Sequence, residues 1–268
     1  MKPMETEDPR VLEQQLTEKL RTRSFGRPTY YFREIDSTSS CARVLAECGA
    51  SEGTVVAAGY QTGGRGRQGR TWFSPQGESL LCSVVLRPKR PRGDLNTLPL
   101  VAAVALSRAV ESVAGVSVRC KWPNDLLLGR RKFCGILVEG NLPGDGPGLA
   151  ILGFGVNLCQ ESFPPELESR ATSLLLEGWE HPDPVLLFGE IMLSLEETYA
   201  EFCADGFGGL LPRWLARASP PGTSLCVVQG ERSCAGDFSG LSPEGGLMLE
   251  TTEGPRVFFA GDVSLVEP

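Results

Sequence analysis

A segment rich in glycine and arginine, residues 63–72, lies between two apolar runs and limits the folds open to this chain. Its sequence GGRGRQGRTW contains the spacing GxGxxG, which in a dinucleotide-binding domain joins a strand directly to a helix that receives a pyrophosphate. Here an apolar run at 54–60 precedes the segment, but a stretch with proline and glycine follows at 73–78 and leads into a second apolar run at 79–86. Both runs have the length of strands. The segment is therefore predicted to be a loop between two strands, and a Rossmann domain does not fit.

Three interpretations of this loop are open on the residues alone. It is an ordinary basic surface loop, a flexible arginine and glycine segment that binds RNA, or a mobile clamp for an anion. In a clamp, the glycines let the backbone fold over a ligand, and Arg65, Arg67 and Arg70 supply fixed positive charge with forked hydrogen-bond donors. Trp72 supplies an apolar lid. The clamp fits the residue types best, and it predicts a phosphorylated or carboxylated ligand.

The composition narrows the chemistry further. A formal net charge of −7 disfavours nonspecific binding to a nucleic acid backbone, which needs a broad excess of lysine and arginine. The single histidine, His181, precedes a proline in an acidic stretch, so catalysis by a serine or cysteine nucleophile paired with histidine is disfavoured. Nine cysteines are scattered without a CxxC pair, which indicates neither a disulfide framework nor a zinc site. No metal site is predicted in the protein itself.

The chain of 268 residues has room for one large and one small domain. Its first residues, MKPMETEDPR, carry charges where a signal peptide needs an apolar stretch. No run approaches the roughly 20 apolar residues of a membrane span. A cytoplasmic protein without membrane contact is therefore expected.

Patterns along the chain predict mixed helices and strands and then a tail of strands. Helices are predicted at 9–21, 37–49, 97–115 and 183–205 with a short one around Trp214, and further strands at 30–35, 116–121, 126–128, 135–139 and 149–158. The stretch NLPGDGPG at 141–148 is predicted to be a hairpin loop. Two prolines and a glycine at 219–222 mark the best domain boundary, because only strand signals follow, at 224–229, 247–251 and 257–259.

Five segments, taken in order, give the chain a resemblance to the biotin protein ligase family. They are Asp36 to Thr38 ahead of a helix, residues 61–72 with the core GRGRQGR, KWPND at 121–125, Lys132 with GILVE at 135–139, and GFGVN at 153–157. GRGRxGRxW followed by KWPND is a specific pattern, whereas the serine and threonine pair alone would be weak. With Gly261, Asp262 and Val263 in the tail, the similarity covers roughly residues 30–268.

The resemblance implies an α+β fold. In that family a mixed β-sheet backed by helices, related to lipoyl ligases and class II aminoacyl-tRNA synthetases, is followed by a small SH3-like β-barrel. The domains would be a helical extension at 1–29, a biotin- and ATP-binding catalytic domain at 30–219 and the β domain at 220–268. Some relatives also carry an N-terminal winged helix that binds DNA. The single short helix predicted before the first motif leaves no room for a three-helix DNA-binding domain. A monofunctional enzyme with no DNA partner and no repressor function is therefore expected.

The reaction implied by the resemblance has two steps. Biotin and MgATP give biotinyl-AMP, and the acyl group then passes to a lysine of a biotin carboxyl carrier protein of a biotin-dependent carboxylase. A carboxylate with a reference pKa near 4 is already ionised, so the first step needs no general base. Its obstacle is repulsion between two anions, which at about 4 Å costs roughly 4 kcal/mol per charge pair at an effective dielectric near 20. Catalysis by clamping with cations is therefore expected, and homodimerisation is left open.

The matching motif positions imply roles for individual residues. The predicted catalytic residues are Lys132 first, then Lys121, Arg65 and Arg67. The predicted biotin-binding residues are Ser37, Thr38, Ser39, Gln61, Arg65, Gly66, Arg67, Lys132 and Trp72. The predicted ATP- and adenylate-binding residues are Arg67, Arg70, Trp72, Lys121, Asn124 and Asn157, and Asp125 would orient the acceptor lysine.

Several of these positions have a second interpretation. Ser37 can cap a helix, and Ser39 stands where many relatives have asparagine. Arg70 either orders the loop or holds the adenylate, Trp72 packs on the ligand or in the core, and Lys121 either acts on the ligand or supports the strand beside Asp125. For the whole chain, the alternatives are a ligase or transferase for lipoate or octanoate and a noncatalytic biotin sensor.

Overall fold

The largest element of the fold is a seven-stranded mixed sheet. A computed structural model describes residues 8–89, 92–141 and 148–266. The strands of this sheet are β1 (Thr29–Phe32), β2 (Val55–Ala58), β3 (Ser79–Leu86), β4 (Val118–Lys121), β5 (Asp125–Leu128), β6 (Arg131–Asn141) and β7 (Leu149–Asn157). They lie in the order β1, β2, β3, β7, β6, β5, β4, with β1 parallel to β2 and all other neighbours antiparallel. The mixed sheet expected from the sequence is confirmed; most of the predicted loop at 141–148 lies outside the described residues.

The helices begin and end at local signals. They are α1 (Pro9–Glu18), α2 (Thr38–Glu47), α3 (Leu98–Ala114), α4 (Pro165–Glu168), α5 (Pro184–Asp205) and α6 (Leu211–Leu215). Ser37 caps α2 through its hydroxyl, which accepts the Ser40 N–H at 3.4 Å. Asp183 accepts two backbone N–H groups of the first turn of α5. Gly115 ends α3 with a left-handed φ of +65°, a conformation that glycine adopts without strain.

The two faces of the sheet are covered unequally. α3, backed by α5, lies on one face, where the strands bury side chains such as Ile136 and Leu152. α2 lies on the opposite face and covers only one end of it, through Val56, Val85 and Ile151. Among the described residues, no other helix packs closely on the remainder of that face.

A row of residues that crosses five strands lies on this uncovered face. The strand register places Leu81, Gly155, Gly135, Asp125 and Lys121 opposite one another in that order. Two glycines in the row leave a low floor, and the charged side chains stand at one end. The row therefore forms the floor of a cleft.

The tail forms a second, five-stranded antiparallel sheet. Its strands are β8 (Ser224–Gln229), β9 (Arg232–Leu241), β10 (Leu247–Thr251), β11 (Gly254–Phe258) and β12 (Asp262–Leu265), in the order β11, β10, β9, β8, β12. The sequence predicts β8, β10 and β11 and misses the other two. β9, RSCAGDFSGL, lacks an apolar run, because most of its side chains are small or polar and are not buried. An all-β tail is confirmed, while its closure into a barrel stays a prediction.

The second sheet packs on the first part of the molecule through one continuous core. Leu225, Phe238 and Leu247 belong to the same buried cluster as the side chains of α3. The Trp122 indole Nε1 also donates to the backbone oxygen of Gly245 at 3.0 Å. This packing brings the start of β12 to the rim of the cleft.

α1 covers the edge of the first sheet. Leu12 and Leu16 are buried in the main core, and the Glu13 carboxylate accepts the Tyr31 N–H at 3.0 Å. Since β1 is an edge strand, this bond satisfies a backbone donor that the sheet would otherwise leave exposed.

The stretch 94–114, which includes α3, is long and apolar enough to cross a membrane by length and composition alone. It is 67% buried inside the protein, against α5 and the strands. Within the described part of the chain it is the one stretch that passes this test, and its burial identifies it as a core helix.

Glu196 of α5 holds the segment between α1 and β1. Its carboxylate accepts the backbone N–H groups of Arg23, Ser24 and Phe25 at distances from 2.7 to 3.1 Å, and also the Ser24 hydroxyl at 2.9 Å. Burial alone would raise the pKa of Glu196, but these hydrogen bonds outweigh it and hold the pKa below its ordinary value.

We expect Glu196→Gln to lower the free energy of unfolding by about 1–2 kcal/mol near pH 7, because the ionised carboxylate is the better acceptor. This contribution is present above the ordinary glutamate pKa and is lost as the pH falls through the lowered pKa. Urea unfolding at about pH 7 and about pH 3 should therefore show a difference that shrinks in acid. Glu197→Gln, which removes an exposed pair with Arg108, is the control and should change little at either pH. A Glu196→Gln effect that is equal at both pH values would contradict this account.

Candidate active site

A cleft of about 670 Å³ lies over the uncovered row of the sheet. One wall is the loop at 63–72, with the start of β12 behind it, and the opposite wall is the segment 163–171. The walls meet where the rings of Phe73 and Phe163 lie 6.1 Å apart. The volume lies within the range of about 300–1,000 Å³ that small-molecule sites occupy.

The loop at 63–72 folds back on itself as a narrow hairpin. The Gly66 N–H donates to the Arg70 oxygen at 2.6 Å, and the Trp72 N–H donates to the Gly64 oxygen at 3.1 Å. At its tip, Gln68 and the glycine after it have left-handed φ values of +57° and +73°. One sharp turn between two extended arms sends the three arginine side chains in different directions.

Arg65 and Arg67 are held by the first sheet and its helix. Arg65 Nη2 donates to the Ser40 hydroxyl in the first turn of α2 at 2.5 Å. Arg67 Nη1 donates to Asn124 Oδ1, in the connection between β4 and β5, at 3.2 Å. Both guanidinium groups thus border the cleft with donors to spare for a ligand.

Asp262, the first residue of β12, joins the loop to the second sheet. Its carboxylate forms an ion pair with Arg70 and lies 4.0 Å from Arg67 Nη1. The backbone oxygen of Gly261 also accepts from Arg67 Nη1 at 3.3 Å, and Arg70 Nη2 donates to Gln68 Oε1 at 2.9 Å. Arg70 is therefore engaged in ordering the loop in this structure.

Trp72 lies on the glycine floor of the cleft. A Cβ placed on Gly135 or Gly155 would come within 2.7 or 2.8 Å of its ring, so glycine is required at both positions. The indole Nε1 is buried and has no hydrogen-bond partner among the described residues. Lys132 Nζ lies 5.2 Å from the centre of the ring, within the range of a cation–π interaction.

A β-bulge turns Lys132 onto the open face. Leu127 lies opposite Lys132, but Leu126 lies opposite Cys134, so β6 contains one extra residue at this point. In a regular strand Lys132 and Cys134 would point to the same face, and Cys134 is buried in the core. On the open face, Lys132 Nζ lies 2.6 Å from Asp125 Oδ1.

Lys121 stands at the end of the same row, opposite Asp125 on the neighbouring strand. Burial lowers the pKa of Lys121 most strongly, the charges of Lys132 and Arg170 lower it further, and the carboxylates of Asp125 and Asp262 act in the opposite direction. The net effect lowers the pKa. Two lysines and an arginine thus share one small region of the cleft.

Hydroxyl and amide groups form the other end of the cleft, at the start of α2. Gln61 Oε1 accepts the Thr38 N–H at 2.7 Å and lies 3.0 Å from the Thr38 hydroxyl. That hydroxyl lies 2.8 Å from Ser83 Oγ, which in turn lies 3.0 Å from Ser39 Oγ. A Cβ on Gly153 would come within 2.8 Å of Ser39 Oγ, so glycine makes room for this serine.

The two predicted asparagines are tied to the protein by both ends of their amides. Asn124 Nδ2 donates to the Ile136 oxygen at 2.7 Å while its Oδ1 accepts from the loop. Asn157 Nδ2 donates to the Thr172 oxygen at 2.9 Å, and its Oδ1 accepts from Gln160 Nε2 at 3.2 Å. In this structure both amides hold neighbouring segments in place.

The structure brings every residue predicted for the site to this one cleft. Those lining it are Ser37, Thr38, Ser39, Gln61, Arg65, Gly66, Arg67, Arg70, Trp72, Lys121, Asn124, Asp125, Lys132 and Asn157. Their individual chemical roles stay predictions.

Known proteins are similar to this chain in sequence and in fold. Residues 31–157 match the model of the biotin/lipoate A/B protein ligase family. The chain is 36% identical to the bifunctional ligase/repressor BirA of Bacillus subtilis over 92% of its own length and 76% of that protein. It is 34% identical to the biotin--[acetyl-CoA-carboxylase] ligase of Paracoccus denitrificans, over 85% of its own length and 96% of that protein. The chain belongs to the biotin protein ligase family.

A solved structure agrees with this membership. The biotin protein ligase from Aquifex aeolicus in complex with biotin and ATP matches 90% of this chain and 99% of its own, with a TM-score of 0.77 and 31% identity. The fold class expected from the sequence is thereby confirmed.

In this member of the biotin protein ligase family, the sequence does not reveal that three further residues contribute to the cleft. Asp262 stands in a tail segment that resembles the family, but its partner Arg70 is 192 residues away. Arg170 lines the cleft and its backbone oxygen accepts the Lys132 N–H at 2.8 Å, yet no motif marks it. Ser83 lies inside an apolar run, where a serine indicates only a strand.

No metal-binding cluster is found in the described part of the chain, and two buried cysteines beside the floor of the cleft have raised pKa values. No three histidine, cysteine, aspartate or glutamate side chains there come together as metal ligands. In the cleft, Asp125, Asp262 and Glu139 each pair with a cationic side chain. All nine cysteines are free, and burial raises the pKa values of Cys82 and Cys134 well above the ordinary range.

Lys121 should lose its proton at a lower pH than a lysine of ordinary pKa, because burial lowers the pKa of Lys121. Competitive acetylation over a range of pH, read by mass spectrometry with a short lysine-containing peptide as the internal standard, would measure this. Asp125→Asn removes a negative charge that raises the Lys121 pKa, so it should move the labelling curve of Lys121 to still lower pH. A Lys121 curve that coincides with that of the peptide, or that moves upward in the variant, would contradict the assignment.

Proposed function

We propose that this chain is an ATP-dependent biotin protein ligase, which makes biotinyl-AMP from biotin and MgATP and transfers biotin to a lysine of a biotin carboxyl carrier protein. One observation carries the proposal: a single cleft joins a pocket of hydroxyl and amide groups to a cluster of lysine and arginine side chains. A ligand that fills it needs a polar, uncharged head and an anionic tail. Biotin has this form, and the solved relative from Aquifex aeolicus is a complex with biotin and ATP.

The polar end of the cleft would hold the ureido head of biotin. A ureido group has two N–H donors and one carbonyl acceptor on an apolar bicycle. Ser37, Thr38, Ser39 and Gln61 supply complementary groups at the start of α2, where Thr38 and Ser39 are buried. Small-molecule pockets are in general largely apolar, with a few fixed polar groups that orient the ligand.

The cationic end would bring two anions together. A biotin carboxylate oxygen attacks the α-phosphorus of ATP; the new O–P bond forms as the bond to pyrophosphate breaks, and pyrophosphate leaves. Lys132 would contact the carboxylate and the reacting phosphate. This role is supported by the bulge that directs Lys132 onto the floor and by its ion pair there with Asp125. Lys121 and Arg67 would stabilise the phosphates from either side. The groups act by position and charge, without a general base.

The loop at 63–72 would act as the lid of this cleft. Arg65 and Arg67 keep donors free for the carboxylate and phosphates, and Trp72 would pack on the valeryl chain or the adenine. Asn124 and Asn157 would act beside the adenylate through the segments that they hold. An acyl adenylate is a reactive anhydride, so a lid that excludes water protects it until the acceptor arrives.

The second step transfers the acyl group to the acceptor. The lysine amine attacks the biotinyl carbonyl, AMP leaves, and the incoming ammonium must first lose its proton from a reference pKa near 10.4. Asp125 is proposed to orient that amine, because its carboxylate lies on the floor beside Lys132. Mg²⁺ would enter with ATP and be held mainly by phosphate oxygens, as is usual for this ion. A cytoplasmic location and the division at 1–29, 30–219 and 220–268 belong to the same proposal.

The proposal is tested by incubating the protein with MgATP, a biotin carboxyl carrier domain and either biotin or lipoate, and measuring the intact mass of the acceptor. A mass increase of one biotin that requires ATP is expected. An increase with lipoate alone would place the chain with the lipoate ligases, and biotin binding without any transfer would favour a sensor. Lys132→Ala should lower the rate of transfer by at least about 100-fold. Lys19→Ala, on the surface beyond α1, serves as the matched control and should retain the wild-type rate.

A further inference from the structure

We infer that Ser83, a buried residue that does not line the cleft, fixes the direction of the hydrogen bonds that the polar pocket offers to its ligand. The pocket then accepts a hydrogen bond at Ser39 and donates one at Gln61, which makes it specific for a ligand with an N–H group and a carbonyl oxygen at those points. The hydrogen-bond directions follow from four side chains and the backbone N–H of Thr38. The identity of the ligand as biotin rests on the proposed function.

The backbone fixes the orientation of the Gln61 amide. The Thr38 N–H can only donate, so the Gln61 atom that lies 2.7 Å from it must be the carbonyl oxygen Oε1. Nε2 is therefore the atom left for the cleft. It lies beside Gly64, where a Cβ would come within 3.2 Å, and no protein group in the described ranges accepts a hydrogen bond from it. Gln61 thus presents a donor to the ligand.

The three hydroxyls next to this amide have one consistent arrangement. Because Gln61 Oε1 cannot donate, the Thr38 hydroxyl uses its hydrogen on it, at 3.0 Å. The contact of 2.8 Å between Thr38 and Ser83 must then use the hydrogen of Ser83. The contact of 3.0 Å between Ser83 and Ser39 must in turn use the hydrogen of Ser39. The chain of donors runs from Ser39 through Ser83 and Thr38 to Gln61.

This chain leaves Ser39 with lone pairs and no hydrogen for the ligand. Ser39 lines the cleft, so it can only accept there, while Gln61 can only donate. Thr38 and Ser39 are at least nine-tenths buried and Ser83 is fully buried, so bulk water has little access to replace a missing link. Gly153, opposite Ser83 on β7, provides the space in which Ser39 reaches the chain. Ser83 is a positioning residue, since it acts on the ligand only through its neighbours.

Ser83→Ala removes the acceptor for the Ser39 hydrogen, so the Ser39 hydroxyl can turn and donate as well as accept. The test compares biotin with its two oxazolidinone analogues, in each of which one ureido N–H is replaced by a ring oxygen, by calorimetric measurement of Kd. For the wild-type protein, the Kd of the analogue that places the ring oxygen at Ser39 should be about 100 times the Kd of biotin. In Ser83→Ala the ratio of these two Kd values should be smaller by about tenfold.

Two further variants keep the test decisive. Ser194→Ala removes another buried serine hydroxyl, which donates to the Ala105 oxygen at 2.8 Å within the helical layer, and should leave the ratio unchanged. Ser83→Cys keeps a similar volume with only a weak donor, and should narrow the ratio in the same direction if the alanine variant does not fold. If the wild-type protein binds biotin but neither Ser83 variant alters the ratio of the two Kd values, this inference is overturned and the proposed function stands. Failure of the wild-type protein to bind biotin would overturn the proposed function together with it.

Discussion

Side chains of like charge meet in the cleft, and carboxylates from both sheets hold them there. Lys132 is paired with Asp125 from β5, while Arg70 is paired with Asp262 from β12, which also lies 4.0 Å from Arg67. Two cations at about 4 Å repel by roughly 4 kcal/mol at an effective dielectric near 20, so carboxylates among them lower the free energy of gathering several cations in one cleft. The packing of the two sheets therefore assembles the site, because neither sheet supplies both carboxylates.

The paired state is suited to an anionic ligand. Seven lysine and arginine side chains and three carboxylates line the cleft, so it is locally positive in a chain with a formal net charge of −7. Phosphate and carboxylate groups are thus attracted to one place on an otherwise acidic protein. The polar pocket at the start of α2 differs from the cationic end, since its groups are uncharged and are fixed by their own hydrogen bonds. The polar end selects a ligand by the direction of its hydrogen bonds, and the cationic end attracts the anionic part of the ligand.

Much of the fold follows from local patterns. The ends of β3 match the predicted run at 79–86, α5 occupies the predicted span from Pro184 to Asp205, and Ser37 caps α2 as proposed. The strand β9 does not follow, because its side chains are mostly small or polar, although it pairs with its sequence neighbours β8 and β10. The strand β12 is short and pairs with β8, and local sequence carries no signal for a contact of that range.

The sequence predicts which residues belong to the site, but it does not predict how their side chains are arranged. The site residues that were predicted from the family motifs all line the cleft. The motifs do not show that Lys132 reaches the open face through a bulge, since regular alternation would direct it into the core with Cys134. They also do not show that Asp262 holds the loop or that Ser83 connects Thr38 to Ser39, because these contacts form only after distant strands have paired.

The most direct test of the assembled cluster is the exchange of labelled pyrophosphate into ATP in the presence of biotin and without an acceptor protein, compared between the wild type and Asp262→Asn. This exchange reports the formation of the adenylate alone. If carboxylates from both sheets hold the cations in position, Asp262→Asn should lower the exchange rate at saturating ATP by about tenfold or more, while the Kd for biotin stays close to the wild-type value. An exchange rate equal to that of the wild type would show that the second sheet has no part in the first step, which contradicts the account.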